Sequence, residues 1–443
     1  MLGIENFFHI DQLTLIMMAL VSFVGLSIAS FSSRYLQGDT KRGTFYRNLI
    51  VLILNVFILS AADHILVLLF SWAFANYFLS KLMLHKPAWK AAQESSLLAQ
   101  KNFLTGFIFL SAALCILCVN TGSFSIRHIN NETIASHWAI LSAALILLAA
   151  MTQSALWPFH RWLLSSLNSP TPVSAIMHAG LINGGGFILT RFAPIFFNEP
   201  FILDILFILG VVTALLGTLW KLMQSDVKRM LACSTMGQMG FMLAQCGLGL
   251  FPAAVAHLCW HGLFKAYLFL SSSSRAQEKR FDLDAPPSLK YFCSSLLCGL
   301  MGAYMFATVS EKVPLRLDTN LFLILLAAIA GTQFALSLLR SYSFVRFPFV
   351  LIATMLAGSL YGFSVESIER LLAPLDISRP QTFSALHIFT YFFLLSAWLA
   401  VVFSHQEKQN TYPSWVLKFY VRMLNASQAH SKTITANRNQ YQS

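Results

Sequence analysis

Long apolar stretches alternate with short polar connections along almost the whole chain. Each stretch comes close to the roughly 20 residues that an α-helix needs to cross the hydrocarbon core of a bilayer. The pattern therefore predicts an all-α, polytopic membrane protein with about thirteen transmembrane helices, and it leaves no room for a soluble domain. The predicted spans are residues 12–31, 47–62, 63–84, 98–119, 137–157, 171–190, 201–220, 229–249, 252–272, 291–309, 320–339, 344–363 and 384–404.

Two segments carry residues that interrupt a helix at membrane depth. Prolines fall within residues 151–172, and a glutamate, a lysine and a proline end the apolar run at 305–316. A broken backbone is tolerated in a bilayer only where protein or a water-filled cavity satisfies its hydrogen bonds. Discontinuous helices in corresponding halves of a chain are typical of inverted repeats around an ion pathway. The spacing permits two inverted five-helix bundles.

These features divide the chain into five regions. They are N-terminal transmembrane helices at 1–97, a first bundle at 98–200, a second bundle at 201–340, C-terminal transmembrane helices at 341–404 and a tail at 405–443. Within the tail, residues 413–425 place apolar side chains on one helical face and two basic side chains on another. That pattern favours an interfacial helix over a partly disordered tail. Residues 426–443 are predicted to be disordered.

The basic residues lie mainly in alternate connections. If basic residues at the first positions of a span are counted with the connection before it, sixteen Lys and Arg residues belong to the odd-numbered connections and six to the even-numbered ones. Because basic loops remain on the cytoplasmic side, we predict an N-terminus outside and a cytoplasmic C-terminal tail. This topology accounts for the net charge of +12, so no nucleic-acid partner is required.

Redox and metal chemistry have no visible motif in this chain. Cys115 and Cys118 are one helical turn apart, but they sit in a lipid-like apolar run, which favours packing residues over a redox or metal site. No haem, iron–sulfur or nucleotide motif is present in the sequence. We therefore expect no cofactor and no metal in this chain, and an oxidoreductase acting alone is disfavoured.

The strongest local feature is the trio His257, His261 and Lys265. Their i, i+4, i+8 spacing stacks the three side chains on one helical face over about 12 Å. Ionisable groups are costly inside a bilayer and normally face a cavity or a partner, so this face predicts a proton relay. Two alternatives are a purely structural role in joining helices, and zinc binding by the two histidines, for which no third ligand lies nearby.

Two further polar segments extend this candidate pathway. His178 follows a proline-marked helix start and precedes three glycines that permit close helix packing, and it serves either as a relay group or as a structural hydrogen-bonding group. Asp226 comes just before Lys228 and Arg229, which are predicted to anchor the cytoplasmic end of a span. The Ser and Thr hydroxyls that follow either bind water or bond to the backbone.

Together these segments resemble the antiporter-like membrane subunits of respiratory NADH:quinone oxidoreductases and Mrp-type cation/proton antiporters. The matching motifs, in order, are FHIDQLTLIM at 8–17, RYLQGD at 34–39, ALWPFHRWL at 155–163, SPTPVSAIMHAG at 169–180, DVKRMLACSTMGQMGF at 226–241 and HLCWHGLFKAYLFL at 257–270. The resemblance implies a proton or cation path along the membrane midplane. The residues that it places in this path, together with weaker candidates, are His178, His257, His261, Lys265, Glu311, Lys312, Asp226 and Gln153.

The departures from the family pattern are also informative. Ala73 replaces the family's glutamate, and Gln153 replaces its lysine, so the acid–lysine pair of the first bundle is missing. Asp63, His64 and Lys81 are candidates to compensate for it. Glu311 and Lys312 follow Ser310 where the family has a lysine and then an acid, and they are candidates for the exit. These changes argue against a standard respiratory pump.

The segment HAGLINGGGFILTRFAP at 178–194 looks most like the DabB-type membrane subunit of inorganic carbon accumulation systems. This resemblance implies a bacterial inner-membrane subunit, not itself an enzyme, that conducts H⁺ or Na⁺. It also implies a large zinc-containing DabA-type partner that hydrates CO2 or accumulates bicarbonate. The alternatives are a proton-translocating subunit of a respiratory or hydrogenase complex, an Mrp-type antiporter subunit and a non-conducting scaffold.

Overall fold

The computed structural model describes residues 7–272, 286–313, 316–341, 344–403 and 413–434. These residues form helices and no β-strand, apart from four isolated bridges. The helices are α1 (Gln12–Tyr35), α2 (Arg42–Ala61), α3 (Ile65–Met83), α4 (Lys90–Thr121), α5 (Ile126–Asn131), α6 (Ser136–Gln153), α7 (Arg161–Leu164), α8 (Thr171–Ala179), α9 (Gly184–Arg191), α10 (Ala193–Phe197), α11 (Pro200–Met223), α12 (Val227–Gly247), α13 (Phe251–Ser272), α14 (Leu289–Val309), α15 (Thr319–Ser341), α16 (Phe347–Leu372), α17 (Ala385–Val402) and α18 (Ser414–Ala426).

The predicted number of membrane helices is confirmed. Twelve segments of the described chain are long and apolar enough to cross a membrane, and Thr171–Arg191 is one of them although it comprises α8 and α9. The 21-residue helix α12 begins with basic residues and contains further polar ones, which makes it less apolar than the twelve. With α12 included, the structure agrees with about thirteen spans.

The helices group into two compact units. The first comprises Met1–Gly247, His257–Arg280 and Ser414–Ser443, and the second comprises Leu248–Ala256 and Phe281–Pro413. Within the first, α11 and α12 pack backbone to backbone, since a Cβ on Gly217 would lie 2.4 Å from the Gly237 nitrogen. Within the second, α14 packs against α15 in the same way, since a Cβ on Gly299 would lie 2.5 Å from the Thr332 nitrogen. Small residues permit such close packing between membrane helices.

The first predicted interruption is present. Helix α6 ends at Gln153 and α8 begins at Thr171, with the short helix α7 between them. A further break, which was not predicted, separates α8 from α9 at Gly180 and the 3-10 turn Leu181–Asn183. Two side chains at the end of α6 donate to carbonyl oxygens of this break: Gln153 Nε2 lies 3.1 Å from the Leu181 oxygen and Ser154 Oγ lies 2.7 Å from the Ile182 oxygen. The broken backbone is thus satisfied by neighbouring protein, as a bilayer requires.

The second interruption, predicted at 305–316, is instead the end of a helix. Helix α14 stops at Val309, and the next helix begins at Thr319. Glu311 has a φ of 55°, which a continuing helix does not allow. Pro314 lies outside the described residues. A glutamate and a lysine after an apolar run are typical both of a broken helix and of a connecting loop, and here Glu311 and Lys312 follow the end of α14.

The tail after helix α18 differs from its prediction of disorder. Helix α18 is followed by residues 427–433, which we call the tail strap, and its Ser427 and Thr433 are buried. The strap contacts two connections of the first unit: its His430 nitrogen donates to Ser165 Oγ at 2.9 Å, and Gln224 Nε2 donates to Ser427 Oγ at 2.8 Å. These hydrogen bonds, made by residues remote in sequence, order a segment whose composition predicts disorder. Residues 435–443 lie outside the described part.

Candidate ion pathway

Helix α13 presents the predicted ionisable face to the interior of the first unit. His257, His261 and Lys265 are all buried, and Lys265 is only 1% exposed. Lys265 Nζ donates to the backbone carbonyl oxygen of Leu231 on α12 at 3.2 Å. The described residues place no carboxylate within ion-pairing distance of this ammonium group. A backbone carbonyl is therefore its hydrogen-bonding partner.

Thr235 connects this lysine site to His178. Thr235 Oγ1 donates to the same Leu231 carbonyl oxygen at 3.0 Å and lies 3.1 Å from His178 Nδ1. The His178 ring also stacks on Phe269, with 4.4 Å between ring centroids. Three helices thus contribute one connected set of polar groups, which we call the relay cluster: Lys265, the Leu231 carbonyl, Thr235 and His178.

The other two histidines of α13 lie further along the same helix. The rings of His257 and His261 are nearly parallel, with 6.2 Å between centroids. The Nε2 atoms of both rings are buried and have no hydrogen-bonding partner among the described residues. Gly262 lets α13 approach the end of α8, because a Cβ there would lie 2.8 Å from the Ala179 oxygen. The structure therefore brings this face of α13 against the helix that carries His178.

Zinc binding by these histidines has no additional support. The described residues contain no group of three or more His, Cys, Asp or Glu side chains able to hold a metal ion. A structural zinc site needs four ligands and a catalytic one needs three.

Asp226 lies at the start of α12, outside the relay cluster. Its Oδ1 accepts from the Arg229 backbone nitrogen at 2.8 Å, which is the geometry of a helix N-cap. Nearby, Lys228 Nζ donates to the Ser169 oxygen at 3.2 Å, and Arg229 Nη1 donates to Gln428 Oε1 of the tail strap at 2.6 Å. These contacts hold the beginnings of α8 and α12 together.

Glu311 and Lys312 lie in the second unit and have different partners. Lys312 Nζ is 3.0 Å from Glu369 Oε2, whereas Glu311 pairs with Arg370. The lysine side chain is 9% exposed and the Glu311 side chain is 65% exposed. Both residues line a polar cleft of about 390 Å³ that also includes Glu366 and Glu369. Sequence reasoning missed Glu369, which is 57 positions from Lys312 and belongs to no recognised motif.

The family is shown by sequence comparison. The family model for the transmembrane subunits of NADH:quinone oxidoreductase and Mrp antiporters matches residues 62–317, more than half of the 443-residue chain. The model for the N-terminus of complex I chain 5 matches residues 2–46. The chain belongs to the NADH:quinone oxidoreductase/Mrp antiporter family. It is an antiporter-like, multi-pass membrane transport subunit.

Several curated relatives of this antiporter-like subunit carry the name of an inorganic carbon transporter. The chain is 41% identical over 277 residues to "Probable inorganic carbon transporter subunit DabB" of Bacillus subtilis, covering 60% of this chain and 53% of that protein. It is 35% identical over 280 residues to the DabB1 protein of Halothiobacillus neapolitanus, covering 61% and 50%. The chain thus spans about half the length of these relatives.

Respiratory-type and Mrp-type proteins match as well. The chloroplastic NAD(P)H-quinone oxidoreductase subunit 5 of Piper cenocladum is 33% identical over 287 residues, covering 61% of this chain and 38% of that protein. A chain of the Mrp complex from Dietzia sp. superimposes with a TM-score of 0.59 and 20% identity, covering 95% of this chain and 48% of the other. That structure shows a shared fold.

The three candidates to compensate for the missing charge at Ala73 of this antiporter-like subunit make other contacts. Asp63 accepts from Ser125 Oγ at 2.6 Å, whereas His64 Nδ1 accepts from the Leu66 nitrogen at 3.2 Å and caps the start of α3. Lys81 lies over the Tyr77 ring near the other end of α3. Measured along the axis of α3, each of these three residues is about 12 Å or more from Ala73. Gln153 in turn supports the α8–α9 break.

Sequence reasoning also missed a buried ion pair. Arg191 at the end of α9 pairs with Asp11, and the side chains are 11% and 5% exposed. Arg191 Nη2 also donates to Thr14 Oγ1 at 3.1 Å and to the Ser60 oxygen at 2.9 Å. Asp11 itself caps α1 by accepting from the Thr14 nitrogen. The pair joins α1, α2 and α9. In the sequence it is indicated only by an acidic residue just before α1 and a basic residue at the end of α9.

Proposed function

We propose that this chain is the cation-conducting membrane subunit of an energy-coupled complex that takes up inorganic carbon. In this proposal H⁺ or Na⁺ moves down its gradient through the relay cluster and past His261 and His257. The supporting observation is Lys265, which is 1% exposed and bonded to a backbone carbonyl. An ammonium group in a bilayer is costly, so a group placed this way is suited to gaining and losing a proton.

The coupling to inorganic carbon is supported by the named relatives and by the residues that are missing. Relatives named as inorganic carbon transporter subunits reach 41% identity, whereas the Piper cenocladum quinone oxidoreductase subunit is 33% identical. Ala73 and Gln153 remove the charges of the family's first bundle. We propose a zinc-containing DabA-type partner that performs the carbon chemistry, in a bacterial inner membrane, with the N-terminus outside and the C-terminal tail in the cytoplasm.

A second candidate function is a proton-translocating subunit of a respiratory, hydrogenase or Mrp-type complex. The fold shared with the Dietzia Mrp complex and the match to the chloroplastic subunit favour it. Purification of the complex from its native membrane separates the two candidates. One large zinc protein that co-purifies supports carbon uptake, and several respiratory-type or Mrp-type subunits support the second candidate.

Conduction is tested by Lys265→Met, with Lys101→Met as the matched control on an exposed face of α4. Cation flux is measured in proteoliposomes that contain the purified complex, under an imposed H⁺ or Na⁺ gradient. We expect Lys265→Met to abolish flux while the complex still assembles, and Lys101→Met to behave as the wild type. If assembled Lys265→Met complexes conduct normally, the chain is a scaffold and the proposal is wrong.

A further inference from the structure

The cleft of the second unit contains a lysine whose acid partner comes from an unexpected helix. Lys312 follows the end of α14, and its Nζ atom lies 3.0 Å from Glu369 Oε2 on α16. The other carboxylate oxygen, Glu369 Oε1, accepts from Ser378 Oγ at 2.7 Å. Both oxygens of Glu369 are therefore held in place, and one of them is directed at the ammonium group.

The neighbouring acids, Glu311 and Glu366, form ion pairs with a different basic residue. Arg370 pairs with Glu311 and, at 2.5 Å, with Glu366. That three-residue group is exposed at its centre, because the Arg370 side chain is 66% exposed. Lys312, by contrast, is 9% exposed, and Glu369 is 28% exposed. The acid that balances the buried lysine is thus Glu369 and not the adjacent Glu311.

We propose that Lys312 and Glu369 form a proton port, at which protons enter or leave this subunit through the water of the cleft. The inference rests on the proposed function and adds Glu369 to it as a proton-accepting residue. Glu369 also lies beyond residues 62–317, the range that the family model matches. The cleft of about 390 Å³ is large enough for many water molecules, so protons reach the carboxylate directly.

The pair works because the two charges depend on each other. A proton from the cleft binds one Glu369 oxygen and removes the negative charge that balances Lys312. The ammonium group is then nine-tenths buried without a counter-charge, so it releases its own proton to a water molecule on the side away from the cleft. Glu369 then passes its proton to the neutral amine of Lys312, 3.0 Å away, and this transfer restores both the carboxylate and the ammonium group. One proton enters the pair and one leaves it in each cycle.

A structural salt bridge would have the same distances, so the test must separate the two roles. In the double variant Lys312→Met/Glu369→Gln, uncharged side chains of similar size replace the pair, which avoids leaving one charge buried alone. A purely structural pair predicts normal flux for this variant once the complex has assembled. The port predicts at least about a ten-fold loss of flux in the same proteoliposomes, because neither side chain can carry a proton.

The single variants and a charge exchange complete the test. We expect Glu369→Gln to reduce flux more than Glu311→Gln and to change the pH dependence of the remaining flux. Lys312→Glu/Glu369→Lys should conduct better than either of its single variants, because the exchange restores one acid and one base. Asp376→Asn, which removes an exposed acid paired with Arg379, serves as the control and should conduct normally.

The outcomes also distinguish this inference from the proposed function. Normal flux in the assembled Lys312→Met/Glu369→Gln complex, together with loss of flux in Lys265→Met, overturns the port and leaves the conducting function intact. Normal flux in both overturns both. A larger loss in Glu311→Gln than in Glu369→Gln assigns the acid to Glu311 and contradicts the inference.

Discussion

Thr235 Oγ1 lies 3.1 Å from His178 Nδ1 and is the atom through which α12 joins α8 to the lysine of α13. Because one hydroxyl contacts both the histidine and the Leu231 carbonyl, its removal separates His178 from Lys265 without changing any charge. This makes Thr235 the least disruptive position at which to interrupt the relay cluster.

We therefore predict that Thr235→Val lowers cation flux about ten-fold while the complex still folds. The expected cost in stability is about 1 kcal/mol, which is typical of one lost hydrogen bond. The matched control is Thr213→Val on α11, where the threonine is equally buried and its hydroxyl has no partner among the described residues. Flux and thermal unfolding of the purified complex are measured for both. Equal flux in the two variants would show that the hydroxyl does not link the two groups.

The relay illustrates what the sequence is able to predict. The i, i+4, i+8 spacing of His257, His261 and Lys265 places them on one face because helix geometry is local. The partner of Lys265 is a backbone carbonyl 34 residues away, and backbone carbonyls carry no sequence signal. Glu369 was missed for a related reason, since its pairing with Lys312 depends on how α14 and α16 pack.

The helices show the same contrast between features set by local sequence and features set by long-range packing. Hydropathy predicted about thirteen spans because burial in lipid imposes a length of apolar sequence on each helix. The prolines at 158–172 correctly predicted a break, whereas Glu311 and Lys312 follow the end of α14 and do not interrupt a helix. Residues 427–433 were predicted to be disordered from composition, yet they are held by hydrogen bonds to Ser165, Asn168 and Gln224.

The buried pair of Asp11 and Arg191 gives a prediction about stability. Arg191→Met leaves the Asp11 carboxylate buried without its counter-charge, so we expect a loss of about 3–5 kcal/mol of unfolding free energy. Adding Asp11→Asn removes the unbalanced charge and should recover part of that loss. Thermal unfolding of the detergent-purified complex measures both. If the single variant is as stable as the wild type, the pair contributes little to the packing of α1 against α9.

A hydrogen bond between His85 and Asp39, outside the membrane spans, makes stability depend on pH. His85 Nε2 lies 2.9 Å from Asp39 Oδ2, and this hydrogen bond holds the pKa of the Asp39 carboxyl below its usual value, against a smaller opposing effect of burial. A carboxyl with a lowered pKa in the folded state stabilises the fold above the pKa of the unfolded chain. That contribution is lost as the pH falls through the lowered value.

We therefore predict that His85→Phe is less stable than the wild type at pH 7 and that the difference shrinks below about pH 4, near the ordinary pKa of aspartate. Unfolding midpoints of both proteins are measured between pH 7 and pH 3. The control is Asp376→Asn. Because the ion pair between Asp376 and Arg379 is exposed, we expect the stability of this variant to differ little from that of the wild type at any pH. A difference between His85→Phe and the wild type that stays constant over this range would assign the effect to packing of the imidazole ring.

The tail strap gives a last prediction about how the connections before α8 and α12 are held. Gln428 Oε1 accepts from Arg229 Nη1 at 2.6 Å, and Asn168 Nδ2 donates to the Thr433 oxygen at 2.9 Å. Removal of residues 427–443 exposes these groups and removes the contacts of the strap with the connections before α8 and α12, which then keep the hydrogen bond from Lys228 to the Ser169 oxygen. We expect the truncated protein to unfold at a lower temperature and to be cleaved faster by protease near residues 165–168.

Gln428→Ala, which removes one of these hydrogen bonds, should show a smaller change in the same direction, since a single hydrogen bond contributes about 1 kcal/mol. Unchanged cleavage in both variants would mean that the strap rests on these connections without stabilising them.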